Sequence, residues 1–146
     1  MTPDDLKSRT KAFAVRVVKL YGVLPKSTVA QIVGKQLLRS ATSVGANYRA
    51  ACRARSAAEF ASRMGVVEEE ADECCYWMEL LTESGILPVQ RIQLILEEAG
   101  ELCAMAASSR KTAKRSSTGI GAKRRSVGPS PNRQSEIDHR QSPGVL

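Results

Sequence analysis

Between Phe60 and Leu81 apolar residues recur in alternating steps of four and three: Phe60, Met64, Val67, Ala71, Cys74, Met78 and Leu81. Residues so spaced share one face of a helix, and a repeat averaging three and a half residues packs against neighbouring helices at a shallow angle. The alternation returns at Val89, Ile92, Leu96, Ala99, Cys103 and Ala106. Pro88 opens this second seam, and Ser84-Gly85-Ile86 reads as the C-terminal cap of the helix before it. Ser56 with Glu59 forms a capping-box pattern at the start of the first seam.

Two more helices precede these. Thr2 suits an N-cap, Pro3 the first helical position, and Asp4 and Asp5 the positive end of a helix dipole. Leu6, Phe13, Val17, Leu20 and Leu24 follow at helical spacing, and Gly22 and Pro25 end the run. The next helix starts near Ser27 or Thr28, where Thr28 with Gln31 makes a capping-box pattern. Its apolar side is expected to hold Ile32, Val33, Leu37, Ala41, Val44 and Tyr48. Gly45 inside it costs helix stability, which implies a packing reason.

Four helices on short connections imply an all-α, antiparallel up-down-up-down four-helix bundle over residues 1–109. Aromatic residues make up only 4% of the 146-residue chain, so the core must be built from Leu, Val, Ile, Met and Ala. Past Ser109 the periodicity stops. Residues 110–146 are rich in Ser, Gly, Pro, Lys and Arg and are expected to form a disordered basic tail.

Charge is distributed by segment. Residues 1–55 carry 11 Lys/Arg against 2 Asp/Glu, residues 56–109 carry 2 against 11, and residues 110–146 carry 9 against 2. The bundle is therefore neutral overall and split by sign, and the net +7 belongs to the tail.

Little catalytic chemistry is offered. The one His, His139, falls in the tail, which removes His-based acid–base and nucleophilic pairs and His-containing metal sites from the bundle. No Gly-rich phosphate loop occurs. Cys74 and Cys75 are adjacent rather than at zinc spacing, and Cys74 and Cys103 lie on the apolar seams, where Cys acts as a small hydrophobe. Cys52, among charged residues, is the expected exposed thiol. Glu68, Glu69, Glu70, Asp72 and Glu73 lack the His that di-iron bundles need and read as a solvated or salt-bridging face. No metal, no cofactor and no enzymatic activity are expected. Without a signal peptide or an apolar stretch long enough to span a bilayer, the expectation is a reduced, cytoplasmic protein with no membrane partner.

What is offered is positive charge. Lys35, Arg39, Arg49, Arg53 and Arg55 lie on and just after the second helix, and Lys123, Arg124 and Arg125 extend the basic character into the tail. One reading is a sequence-independent contact surface for the phosphates of a nucleic acid. The other is a solvated basic face neutralised by the acidic third helix. Tyr76 and Trp77, beside the seam, suit partial burial at a helix–helix or subunit contact.

Three blocks carry a family resemblance: Ala12 to Tyr21 (AFAVRVVKLY), Gln36 to Ala51 (QLLRSATSVGANYRAA) and Tyr76 to Leu81 (YWMELL). Together they resemble the 23S rRNA intervening-sequence proteins over roughly residues 6–108. Some relatives carry Asn-Ile-Ala-Glu-Gly where this chain has Asn47-Tyr48-Arg49-Ala50-Ala51, which makes this a more basic branch, and the tail has no family counterpart. The resemblance implies a four-helix bundle assembling as a ring, typically a homopentamer. It also implies kinship with the accessory subunit of diversity-generating retroelements, whose basic ring contacts nucleic acid and a reverse transcriptase. No catalytic residues come with it. Two functions follow as expectations: an RNA-associated binding scaffold, or a structural oligomer with a protein partner and no nucleic acid.

Overall fold

The computed structural model describes residues 1–125. Four α-helices follow one another: α1 (Pro3–Gly22), α2 (Thr28–Ala51), α3 (Ala57–Glu83) and α4 (Val89–Arg125). α1 packs on α2, α2 on α3 and α3 on α4, and a sparser contact between α4 and α1 closes the ring. The expected up-down-up-down bundle is found.

Local chemistry explains where the helices start and stop. The Thr2 hydroxyl accepts from Asp5 N–H while the Asp5 carboxylate accepts from Thr2 N–H, a reciprocal cap that satisfies two otherwise orphaned donors. Ser27, not Thr28, caps α2, its hydroxyl accepting from Ala30 N–H. The expected Thr28–Gln31 box does not form, because Gln31 instead accepts from Tyr21 Oη at 2.9 Å and donates to Pro25 O. Ser56 caps α3, but Glu59 reaches the N–H of Arg55 rather than that of the cap residue. α3 ends in a Schellman turn: Gly85 sits at φ +77°, and the N–H groups of Ile86 and Gly85 bond Leu81 O and Thr82 O.

The α3 seam is buried as its spacing predicts, with Met64, Ala71, Cys74, Met78 and Leu81 fully inaccessible and Phe60 half-buried at its start. α4 differs. Its buried stripe is Ile92, Ile95, Ala99, Leu102 and Ala106, while Val89 is exposed and Leu96 and Cys103 are half-buried. The three-four alternation holds, but in a phase that buries Ile95 and Leu102 in place of Leu96 and Cys103; Cys103 Sγ instead meets Glu68 O of α3, while Glu98 and Glu101 meet Arg9 of α1. On α2, Ile32 is 59% exposed, one residue out of register with buried Val33.

Two glycines set the approach of α1 and α2. A Cβ on Gly34 would stand 2.4 Å from Leu24 Cδ1 and 3.1 Å from the Tyr21 ring. One on Gly45 would stand 3.3 Å from Thr10 Oγ1, which is the packing reason that residue required.

The last helix runs past the expected boundary at Ser109. α4 continues to Arg125 without an apolar stripe. Arg110 is anchored to Glu68 of α3 at 2.7 Å, and the following Lys111, Ala113, Lys114 and Arg115 are strong helix formers. A helix already nucleated propagates through such residues without needing burial. The rest of the expected tail, residues 126–146 with His139, lies outside the described residues. None of the described helices is long and apolar enough to cross a membrane.

Candidate nucleic-acid interface

Antiparallel packing gathers distant segments at one end of the bundle. Thr2, Pro3 and Leu6 of the first turn, Tyr48 near the end of α2, Phe60 near the start of α3, and Met105 and Ser108 of α4 line one cavity of about 400 Å³ there. The basic residues read from the sequence divide between this end and the body of the bundle.

Arg39 belongs to the body. It donates to Glu73 at 2.6 Å and stands 3.5 Å from Glu70. The fully buried Ser40 hydroxyl donates to the same Glu73 oxygen at 2.8 Å. This hydroxyl and then the Arg39 guanidinium hold the Glu73 carboxyl below its ordinary range, and Glu73 in turn raises Arg39. Arg39 is thus committed to the α2–α3 contact. Lys35, exposed and one turn earlier, lies 14 residues from Arg49, about 21 Å along the axis.

Arg49, Arg53 and Arg55 belong to the end. All three are exposed, and none makes an ion pair among the described residues. Arg49 is in the last turn of α2; Arg53 and Arg55 ride the tight connection closed by Arg53 N–H to Ala50 O and Ala54 N–H to Ala51 O. The acidic run of α3 begins only at Glu68, about three turns above its first residue, and from it Glu68 pairs with Arg110 while Glu70 and Glu73 pair with Arg39. Arg110 holds Glu68 below the ordinary carboxylate range. Lys111, Lys114 and Arg115 extend the exposed positive charge along α4, and Lys123, Arg124 and Arg125 form its last turn.

Lys7 and Lys11 of α1 join Arg49 around a groove between α1 and α2. Their i, i+4 spacing marked a shared face; that the face borders Arg49 is a tertiary fact. α1 also carries a committed cation, Arg9, which is bonded to Glu98 at 2.6 Å and to Glu101. Glu98 raises Arg9 above its usual range, ahead of the smaller contribution of Glu101.

The remaining candidates are structural. Burial drives the Cys74 thiol far above its usual value and Cys75 up to about 11, so both are protonated near neutral pH. Cys52, expected to be exposed, is half-buried against the core. Tyr76 is 57% exposed and meets the half-buried Trp77 edge-on, ring centres 4.9 Å apart. Among the described residues no group of three His, Cys, Asp or Glu side chains is placed to hold a metal ion.

These features define a class: a four-helix bundle with ion pairs across its α1–α4, α2–α3 and α3–α4 contacts and exposed arginines at the connection between α2 and α3. Residues 5–108 match the family described as 23S rRNA-intervening sequence protein, and the chain belongs to that family. A crystal structure from Bacteroides thetaiotaomicron, described as a protein with unknown function from the S23 ribosomal protein family, is similar over 72% of this chain and 97% of its own. The identity there is 35% and the TM-score 0.67. No curated protein matches the chain.

Proposed function

We propose that the chain is a non-catalytic, oligomeric binding scaffold of the cytoplasm that holds nucleic acid, RNA first, on the basic end of its bundle. The observation that carries this reading is the contrast between committed and free arginines: Arg9, Arg39 and Arg110 are paired, whereas Arg49, Arg53 and Arg55 are exposed without ion pairs among the described residues. Exposed like charges at one place cost self-repulsion, which a polyanion relieves by releasing its own counterions. The family's description, with its reference to 23S rRNA, makes RNA the polymer to test. Self-association, with a homopentamer as the expected size, completes the proposal.

A second reading has its own support. Val29, Ile32, Tyr76 and Leu94 are 57–70% exposed and apolar, which suits contacts with further copies or with a protein partner. Size-exclusion with light scattering on the full chain, with and without a structured RNA at two salt concentrations, separates the readings. A particle that takes up RNA at low salt and releases it at high salt supports the scaffold. An oligomer indifferent to RNA at both overturns it in favour of the protein-partner reading.

A further inference from the structure

The groove between α1 and α2 has a distinct chemistry. It holds about 510 Å³ and runs along the first turns of α1 and the last turns of α2. Lys7 and Lys11 stand on one wall and Arg49 on the other, over a floor of Ala14, Gly45 and Ala46. The only carboxylate, Asp4, is 92% exposed and reaches Lys7 at 3.8 Å, a surface pair worth little against a polyanion. No aromatic side chain lines the groove.

We infer that this groove seats the sugar–phosphate backbone of a single-stranded polynucleotide, with phosphates at Lys7, Lys11 and Arg49 and the bases turned outward. The inference rests on the nucleic-acid reading above and narrows it to one seat and one form of polymer. Lys7 and Lys11 are one turn apart, about 6 Å along the axis, close to the repeat of phosphates on an extended strand. The walls are adjacent packed helices, whose axes lie about 8–10 Å apart; that admits one backbone and excludes a duplex. A floor of small residues lets the backbone lie deep. With nothing aromatic to stack on, the bases stay unread and binding is tolerant of sequence. A free nucleotide shares the phosphate chemistry, and competition by the mononucleotide separates it from a polymer.

Fluorescence anisotropy on the full chain tests this, with labelled oligouridylate, oligothymidylate and a duplex of equal length, and unlabelled uridine monophosphate as competitor. Both single strands are expected to bind about tenfold or more tighter than the duplex, and Lys11→Gln to lower the salt slope by about 0.7, the share of one contact on a single strand. Ala46→Leu fills the floor without changing charge or adding a ring for bases to stack on, and because Ala46 is exposed the fold should tolerate it. It is expected to weaken strand binding about as much as Lys11→Gln. The inference is overturned if Ala46→Leu, confirmed folded by its circular dichroism, binds like the native chain, if duplex and single strand bind alike, or if the mononucleotide competes at strand-like concentrations. In those cases binding lost on reversing Arg53 and Arg55 still leaves the basic-end reading standing. If the native chain binds none of the polymers at low salt, both readings fail together.

Discussion

Arg39 and Arg49 lie on the same helix, ten residues apart, and have opposite fates. Arg39 faces Glu70 and Glu73 across the α2–α3 contact, and a buried serine hydroxyl fixes the shared carboxylate. Arg49 faces the small residues and lysines of α1 and has no ion pair among the described residues. The difference lies in the neighbour, not the residue. Antiparallel packing slides the acidic stretch of α3 alongside the middle of α2 and leaves the last turn of α2 beyond its reach. A charge split that reads along the chain as two opposed halves becomes, in space, a few ion pairs across the packed helices and a cluster of exposed arginines at one end.

The largest expected effect sharpens that contrast. Reversing Arg49, Arg53 and Arg55 together to Glu should lower affinity for RNA about a hundredfold or more at low salt, since each lost phosphate contact also removes its share of counterion release. Arg39→Glu should leave affinity within about threefold while lowering the melting temperature. Equal loss of binding from both would dissolve the distinction.

Packing, unlike charge, should not distinguish the ends. Met64 and Met78 occupy one seam, both fully buried. Truncating either to Ala should cost about 2–5 kcal/mol in urea unfolding. A cost confined to Met78 would mean that the basic end is loosely packed, and its free arginines a consequence of that looseness.

The two interhelical glycines should differ. Gly34→Val forces a branched side chain against Leu24 and Tyr21 and should cost about 1–3 kcal/mol by overpacking. Gly45→Ala meets Thr10 Oγ1 at the edge of contact and gains helix propensity, so it should lie within about 1 kcal/mol of the native chain.

The pH dependence of stability is the smallest effect. Glu68 and Glu73 have folded pKa values lowered from 4.5, so their contribution is present above that value and drains away as pH falls through the folded values. Thermal melts from neutral pH downward should show a loss below about 4.5 that Glu73→Gln reduces. Arg49→Gln should not change it, because Arg49 holds no carboxylate.

Much of the fold was legible because it is written in short-range spacing. Thr2 with Pro3 and Asp5, Ser56, and Ser84-Gly85-Ile86 each act within a turn, and all lie where their chemistry required. The misreadings have equally local causes. Ile32 stands one residue out of the α2 stripe, a rotation of about 100° that carries it from core to solvent. Ile95 and Leu102 were missed because the alternation on α4 was started at Val89; the buried residues keep the same steps in another phase, through Ile95 and Leu102 instead of Leu96 and Cys103. Past Ser109 the lost amphipathicity signals the end of burial, which is not the end of a helix, and α4 runs on to Arg125.

By itself the sequence determined four helices, their order, their caps and most of their buried faces, because those depend on residues within a few positions of one another. Which cations are spent and which remain free was decided only by the tertiary structure. Arg39 and Glu73, Arg9 and Glu98, and Arg110 and Glu68 are separated by 34, 89 and 42 residues, and their meeting depends on the register at which packed helices settle. The groove that unites Lys7, Lys11 and Arg49 arises from the same register. Electrostatic attraction acts over a few ångströms of space, and only the packed bundle turns sequence position into that distance.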